Sequence, residues 1–146
     1  MNIHNYTPLY KQAVLNLLRL NTPDYFAASE EKDLIDYLEN ESGNFFVVEL
    51  DNQIVACGGY NVSADGTLGK ISWDIVHLDY QGKGLGSELT KYRIERLQQI
   101  ESVRTIAVRT SQHACVFYAK QGFVLKDMIK NFWAEGYDLY LMVYKK

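Results

Sequence analysis

The sequence predicts an α+β fold of three layers, in which a mixed, mostly antiparallel sheet of six to seven strands is flanked by about four helices. Three observations carry this. Apolar residues recur at helical spacing early in the chain, the pattern turns β-rich from Asn44, and from a glycine cluster at Gly82 helix and strand alternate to the end. Over 8–20, Leu9, Ala13, Val14, Leu17 and Leu18 form an apolar stripe, with Thr7 as N-cap and Pro8 at the first helical position. A second helix follows Ser29, a capping residue, with Glu30 and Glu31 at the positive end of the dipole and Leu34, Ile35 and Leu38 facing inward. Phe45–Leu50 and Gln53–Tyr60 flank the turn Asp51-Asn52 and read as an antiparallel hairpin. Asp65-Gly66 marks the next turn, and 68–78 reads as a strand that ends at Gly82, Gly84 and Gly86. A long helix leaves this cluster with Leu85, Leu89, Tyr92, Arg96 and Ile100 as its inner stripe, and 104–109 is a short central strand. A late helix over 113–121 ends at Gly122, and 123–130 and 137–144 form a last strand pair joined by an aromatic loop. Residues 3–6 add a short first strand.

With 146 residues, 47% of them hydrophobic, and neither repeat nor linker, the chain reads as one domain over 1–146. It is long enough to bury a core without disulfides. Cys57 and Cys115 sit in apolar runs without metal-ligand spacing, so no metal site is expected and the thiols fit a reducing compartment, the cytoplasm. The first residues lack a signal-peptide pattern and no run is long enough to span a membrane. Fifteen Lys and Arg against eighteen Asp and Glu disfavour nucleic acid as the main partner, while leaving room for a local basic pocket.

The segment Gln81-Gly-Lys-Gly-Leu-Gly86 lies between a strand and a helix, where backbone N–H groups and the helix dipole favour an anion. It does not fit G-x-x-x-x-G-K-[ST], for want of the earlier glycine, nor G-x-G-x-x-G, because after Gly82 and Gly84 the third glycine position is Ser87. Gln-x-x-Gly-x-Gly before a helix instead resembles the acyl-CoA pyrophosphate loop of the GNAT (GCN5-related N-acetyltransferase) superfamily. Two further blocks strengthen the likeness. Thr110-Ser-Gln-His-Ala-Cys-Val-Phe-Tyr-Ala-Lys-Gln-Gly-Phe123 resembles that superfamily's late helix, and Asp138-Leu-Tyr-Leu-Met-Val-Tyr144 its last strand. Together they cover most of 68–144, whereas the first 65 residues match only in element order.

The resemblance implies an N-acetyltransferase that uses acetyl-CoA as co-substrate, with direct attack of a primary amine on the thioester. Gln81, Gly82, Lys83, Gly84, Leu85, Gly86 and Ser87 would hold the pyrophosphate, and backbone groups of Val76 and Leu78 the pantetheine arm. An amide near Val76 or His77 would steady the developing oxyanion, and Ser111 stands where relatives often carry a cofactor-touching Asn. Tyr118 occupies the position of the general acid for the leaving thiolate. For a base, strand alternation puts Ser72, Asp74, Val76 and Leu78 on one face; Ser72 cannot act alone, so Asp74 is the first candidate. His77 reads as a structural hydrogen-bonder, His113 as a cap and Cys115 as a packed thiol. Tyr25, Phe26 and Trp133, in two aromatic loops beside Asp24 and Glu135, are the candidate acceptor contacts.

The acceptor reads as a small-molecule amine or a peptide, with neither nucleic acid nor membrane as partner. A non-catalytic acyl-CoA-binding domain and a protein-interaction module are the alternatives, and the last strand offers an edge for pairing in a homodimer.

Overall fold

The computed structural model describes residues 1–145. Its sheet has seven strands in the order β1-β2-β3-β4-β5-β7-β6. The strands are β1 (Asn2–Asn5), β2 (Phe45–Leu50), β3 (Gln53–Val62), β4 (Leu68–Val76), β5 (Thr105–Thr110), β6 (Phe123–Ala134) and β7 (Tyr137–Tyr144). Only the β4–β5 pair is parallel; all other neighbours are antiparallel. Four α-helices flank them: α1 (Lys11–Leu20), α2 (Glu30–Asn40), α3 (Leu85–Gln98) and α4 (Cys115–Lys120). The expected α+β sandwich is therefore what the chain forms, and no helix among the described residues is long and apolar enough to cross a membrane.

The core divides at the sheet. On one face α1 and α2 contribute Val14, Leu17, Leu34 and Leu38 against Phe45, Val47 and Ile75. On the other, Leu85, Leu89 and Leu97 of α3 pack on Phe46, Val48 and Ile71. Phe45-Phe-Val-Val48 is a continuous apolar run because alternate residues serve opposite cores, each fully buried side chain contributing about 2 kcal/mol. The β2–β3 turn uses left-handed Asp51 and Asn52, residues whose short polar side chains tolerate that backbone.

Several boundaries differ from expectation. Pro8–Tyr10 forms a separate 3-10 turn, so the α1 stripe starts at Val14 and Leu9 is 94% exposed. Neither Thr7 nor Ser29 makes a side-chain cap bond; the Glu30 carboxylate instead accepts the Ala27 amide at 2.8 Å. The inner stripe of α3 runs Leu85, Leu89, Arg93, Leu97, which turns Tyr92 and Arg96 toward its flank. The late helix is reduced to Cys115–Lys120, and β6 extends to Ala134 through the segment expected as a loop.

Candidate active site

β4 and β5 pair only from Leu68↔Thr105 to Ile71↔Val108. Past that rung β4 stays on β3 while β5 follows β7, and a gap opens between them. A bulge shapes this gap, because Trp73 and Asp74 together face the single residue Gly58. Trp73 has φ +57°, an uncommon backbone for a bulky residue, and its ring is held against Phe26 and Tyr37 at centroid distances of 6.1 and 6.3 Å. The bulge reverses the strand's alternation: Ile71 packs with α3, yet Ile75 packs with α1 and α2. Simple alternation placed Ser72 and Asp74 on one face. The structure separates them, with Ser72 beside Tyr37 of α2 and Asp74 against α3 and α4.

Asp74 joins three elements. Its carboxylate forms an ion pair with Arg93 of α3 and accepts a hydrogen bond from the Tyr118 hydroxyl of α4. Arg93 is fully buried, and its remaining N–H groups donate to the carbonyls of Leu89 (3.1 Å) and Gly59 (3.0 Å) and to Thr90 Oγ1 (3.3 Å). A buried charge persists only when paired and hydrogen-bonded in this way. Gly58 leaves space for the pair, since a Cβ there would stand 2.7 Å from Asp74 Oδ1 and 2.8 Å from Arg93 Nη1. Burial, and then the Asp74 charge, push the Tyr118 phenol well above its ordinary 10, with Arg93 pulling the other way.

The glycine loop enters α3 with Gly82 and Gly84 at φ +76° and +83°. No atom lies within 4 Å of where a Cβ of either would be. The first-turn amides of α3, behind this open surface, have no intrahelical acceptors. Side chains fasten the loop: Gln81 Nε2 donates to Asn21 Oδ1 and to the Val76 carbonyl, both at 3.2 Å, Asn21 Nδ2 donates to the same carbonyl at 3.1 Å, and Gln121 Nε2 donates to Ser87 Oγ at 2.9 Å.

A cavity of about 760 Å³ unites the gap, the loop and the aromatic segments. Of the residues expected at the site it is lined by Asp74, Val76, Gln81, Gly82, Gly84, Leu85, Gly86, Ser87, Ser111 and Tyr118, and by Tyr25, Phe26 and Trp133. His77, Leu78 and Lys83 do not line it. The strand ends at Val76 and turns through Leu78–Tyr80, where His77 Nδ1 accepts the Asp79 amide at 3.0 Å. The His77 amide donates to the Val55 carbonyl at 2.8 Å, so it is spent in the sheet and is no oxyanion donor. The Val76 carbonyl is likewise occupied by Asn21 and Gln81. Lys83 lies over the Tyr80 ring, 5.1 Å from its centroid. Ser111 Oγ accepts the His113 amide at 3.2 Å, and the His113 ring bonds the Gly136 carbonyl.

Arg93, Asn21 and Gly58 were missed by sequence reasoning. A signal existed for the first, since the i, i+4 series Leu85, Leu89 continues to Arg93 and Leu97, and a cation on an apolar stripe requires an anion opposite.

The sequence model of the acetyltransferase (GNAT) family matches residues 11–123. The amino-acid acetyltransferase of Azotobacter vinelandii is 34% identical over 88 residues, which is 60% of this chain and 20% of that protein. The chain thus spans about a fifth of the length of that relative. The ribosomal-protein-S18-alanine N-acetyltransferase of Escherichia coli superposes with a TM-score of 0.79 at 19% identity, covering 98% of this chain and 92% of that one. Aminoglycoside 6'-N-acetyltransferase, solved with coenzyme A, gives 0.77 at 16% identity over 98% and 96%. Sheet order, glycine loop and the matched span agree: the chain belongs to the acetyltransferase (GNAT) family.

Proposed function

We propose that the protein is an N-acetyltransferase that moves an acetyl group from acetyl-CoA to the primary amine of a small molecule or peptide. The observation that carries this reading is one cavity that joins an open glycine loop to the Tyr118 hydroxyl through the β4–β5 gap. The residues fit the co-substrate: the free space over Gly82 and Gly84, with the α3 amides behind it, suits a pyrophosphate. Gln81, Leu85, Gly86 and Ser87 complete that cradle, and Ser111 borders the neighbouring arm of the gap. Bound acetyl-CoA supplies the thioester that the amine attacks.

The chain's own groups supply the rest. Because the His77 amide points to β3, alternation turns the Val76 amide toward the gap, where it serves as oxyanion donor. Tyr118 keeps its proton through neutral pH; Oη turns that one proton from Asp74 to the departing sulfur and is reprotonated by the proton that the attacking nitrogen sheds. Arg93 offsets the negative charge then left beside Asp74. Both Asp74 oxygens already have partners, so we assign Asp74 to orienting Tyr118 in place of the base role expected from the sequence. Tyr25, Phe26 and Trp133 border the acceptor side, where aromatic faces favour an ammonium.

Calorimetric titration with acetyl-CoA, followed by thiol-release assays, tests the reading. Saturable binding is expected, and Tyr118→Phe is expected to keep it while losing about 10²–10⁴-fold in turnover. Absence of acetyl-CoA binding overturns the function; full turnover by Tyr118→Phe removes Tyr118 from the chemistry.

A further inference from the structure

The acceptor side of the cavity contains two cations without a partner. Lys70 on β4 and Arg109 on β5 both line it, and neither makes an ion pair or a side-chain hydrogen bond among the described residues. Register puts them on one face. Lys70 is opposite Ala107 and Ile71 opposite Val108, and because Ile71 and Val108 both enter the α3 core, Lys70 and Arg109 project to the other side. They are diagonal neighbours, at a spacing across which long side chains converge. The α1–α2 layer packs on β3 and β4.

Arg109 is preset for a ligand. Its guanidinium lies over the rings of Phe132 and Trp133, 5.0 and 5.5 Å from their centroids. Trp133 is itself fixed by donating from Nε1 to the Thr110 carbonyl at 3.1 Å. Rings against the flat face leave the edge N–H groups for a planar, two-oxygen acceptor. The other charged groups lining the cavity are differently placed: Glu30 bonds the Ala27 amide, Asp74 and Arg93 hold each other, and Glu41 forms no ion pair with Lys70. Arg109 also lies one residue beyond the last β4–β5 rung, where the gap between the two strands begins.

The geometry points to a carboxylate-binding subsite formed by Arg109 and Lys70, so that the acceptor is an amine bearing a nearby carboxylate, of the α-amino-acid class. This rests on the proposed acetyl transfer and narrows its substrate. The test is acetyl-CoA-dependent thiol release over a panel of α-amino acids and their matched carboxamides, with wild type, Arg109→Gln and Lys70→Gln. Each substitution removes a charge-assisted bond, so the acids should lose about 10- to 100-fold in kcat/KM, mainly through KM. The acid-to-amide preference should fall toward one, while the calorimetric affinity for CoA stays at the wild-type value. Because Arg109 is exposed, the substitution does not endanger folding. Amides used as well as acids by the wild type, or no acid used above background, overturns the subsite while CoA binding leaves the acetyltransferase reading standing. Loss of CoA binding by the wild type would instead remove the reading beneath it.

Discussion

Replacing Gly58 by Ala adds one methyl group at the most crowded point of the site. The added carbon would stand 2.7 Å from Asp74 Oδ1, 2.8 Å from Arg93 Nη1 and 2.9 Å from Arg93 Cζ. Gly58 does not have a positive φ, so alanine carries no backbone penalty and any effect comes from these contacts. The nearest atoms are the heads of a buried ion pair, not the free end of a mobile chain. Overpacking alone costs about 1–3 kcal/mol, and parting a buried pair costs about 3–5 kcal/mol. Relaxation that keeps the pair partly joined gives an expected loss of about 2–4 kcal/mol, or roughly 5–15 °C in Tm for a chain of this size. Turnover should fall further than folded fraction accounts for, because Asp74 would no longer meet Tyr118. Gly43→Ala is the control, since nothing lies within 4 Å of a Cβ there. Calorimetric melting and thiol release measure the two effects; a Gly58→Ala protein with the Tm and turnover of the control would refute the idea that this glycine exists to admit the Asp74–Arg93 pair.

Two further outcomes follow from local geometry. Gly84→Ala places a side chain at φ +83° on the loop surface, with an expected cost of about 1 kcal/mol from backbone strain and a larger loss in acetyl-CoA affinity by titration, because the methyl enters the space left open for the ligand. The Asp65 carboxyl is pulled down to about 2, first by the Thr67 amide and then by the Ser63 and Thr67 hydroxyls. A depressed acid stabilises the fold above its unfolded value, about 4, and loses that contribution as pH falls toward 2. Melting Asp65→Asn beside the wild type should therefore show a constant gap above pH 5 that closes between pH 4 and 2; a gap that persists at pH 2 contradicts the assignment.

Most of the architecture was legible because period and punctuation agreed. The hairpin at Asp51-Asn52, the glycine entry to α3 and the Gly122 stop after α4 each combined a change of period with a residue suited to the required backbone. The loop and Tyr118 were legible through motifs. What the sequence hid depends on pairing across distance: Arg93 sits on the apolar stripe of α3, but its partners Asp74 and Gly59 are known only once α3 is seated on the sheet, and Asn21 is an ordinary helix-terminal residue until Gln81 reaches it across sixty positions. The bulge was hidden for a different reason. Leu68–Val76 alternates well enough to read as a regular strand, and nothing local marks Trp73 as left-handed.

That one irregularity accounts for the site's arrangement. With regular alternation, Asp74 would share a face with Ser72 under α2, far from α3, and the core would gain an uncompensated carboxylate. The extra residue at Trp73 turns Asp74 to the opposite face, where Arg93 neutralises it and Tyr118 meets it. The same turn keeps Trp73 itself on the α1–α2 side, where Phe26 and Tyr37 cover its ring and line the cavity. A left-handed non-glycine residue costs of order 1–3 kcal/mol, and glycine would avoid that cost. Glycine would also remove the indole, and with it the packing that holds the Phe26 loop over the cleft. The strand therefore tolerates local strain at Trp73 because one residue serves both sides of the sheet, directing the carboxylate toward Tyr118 and the ring toward Phe26 and Tyr37.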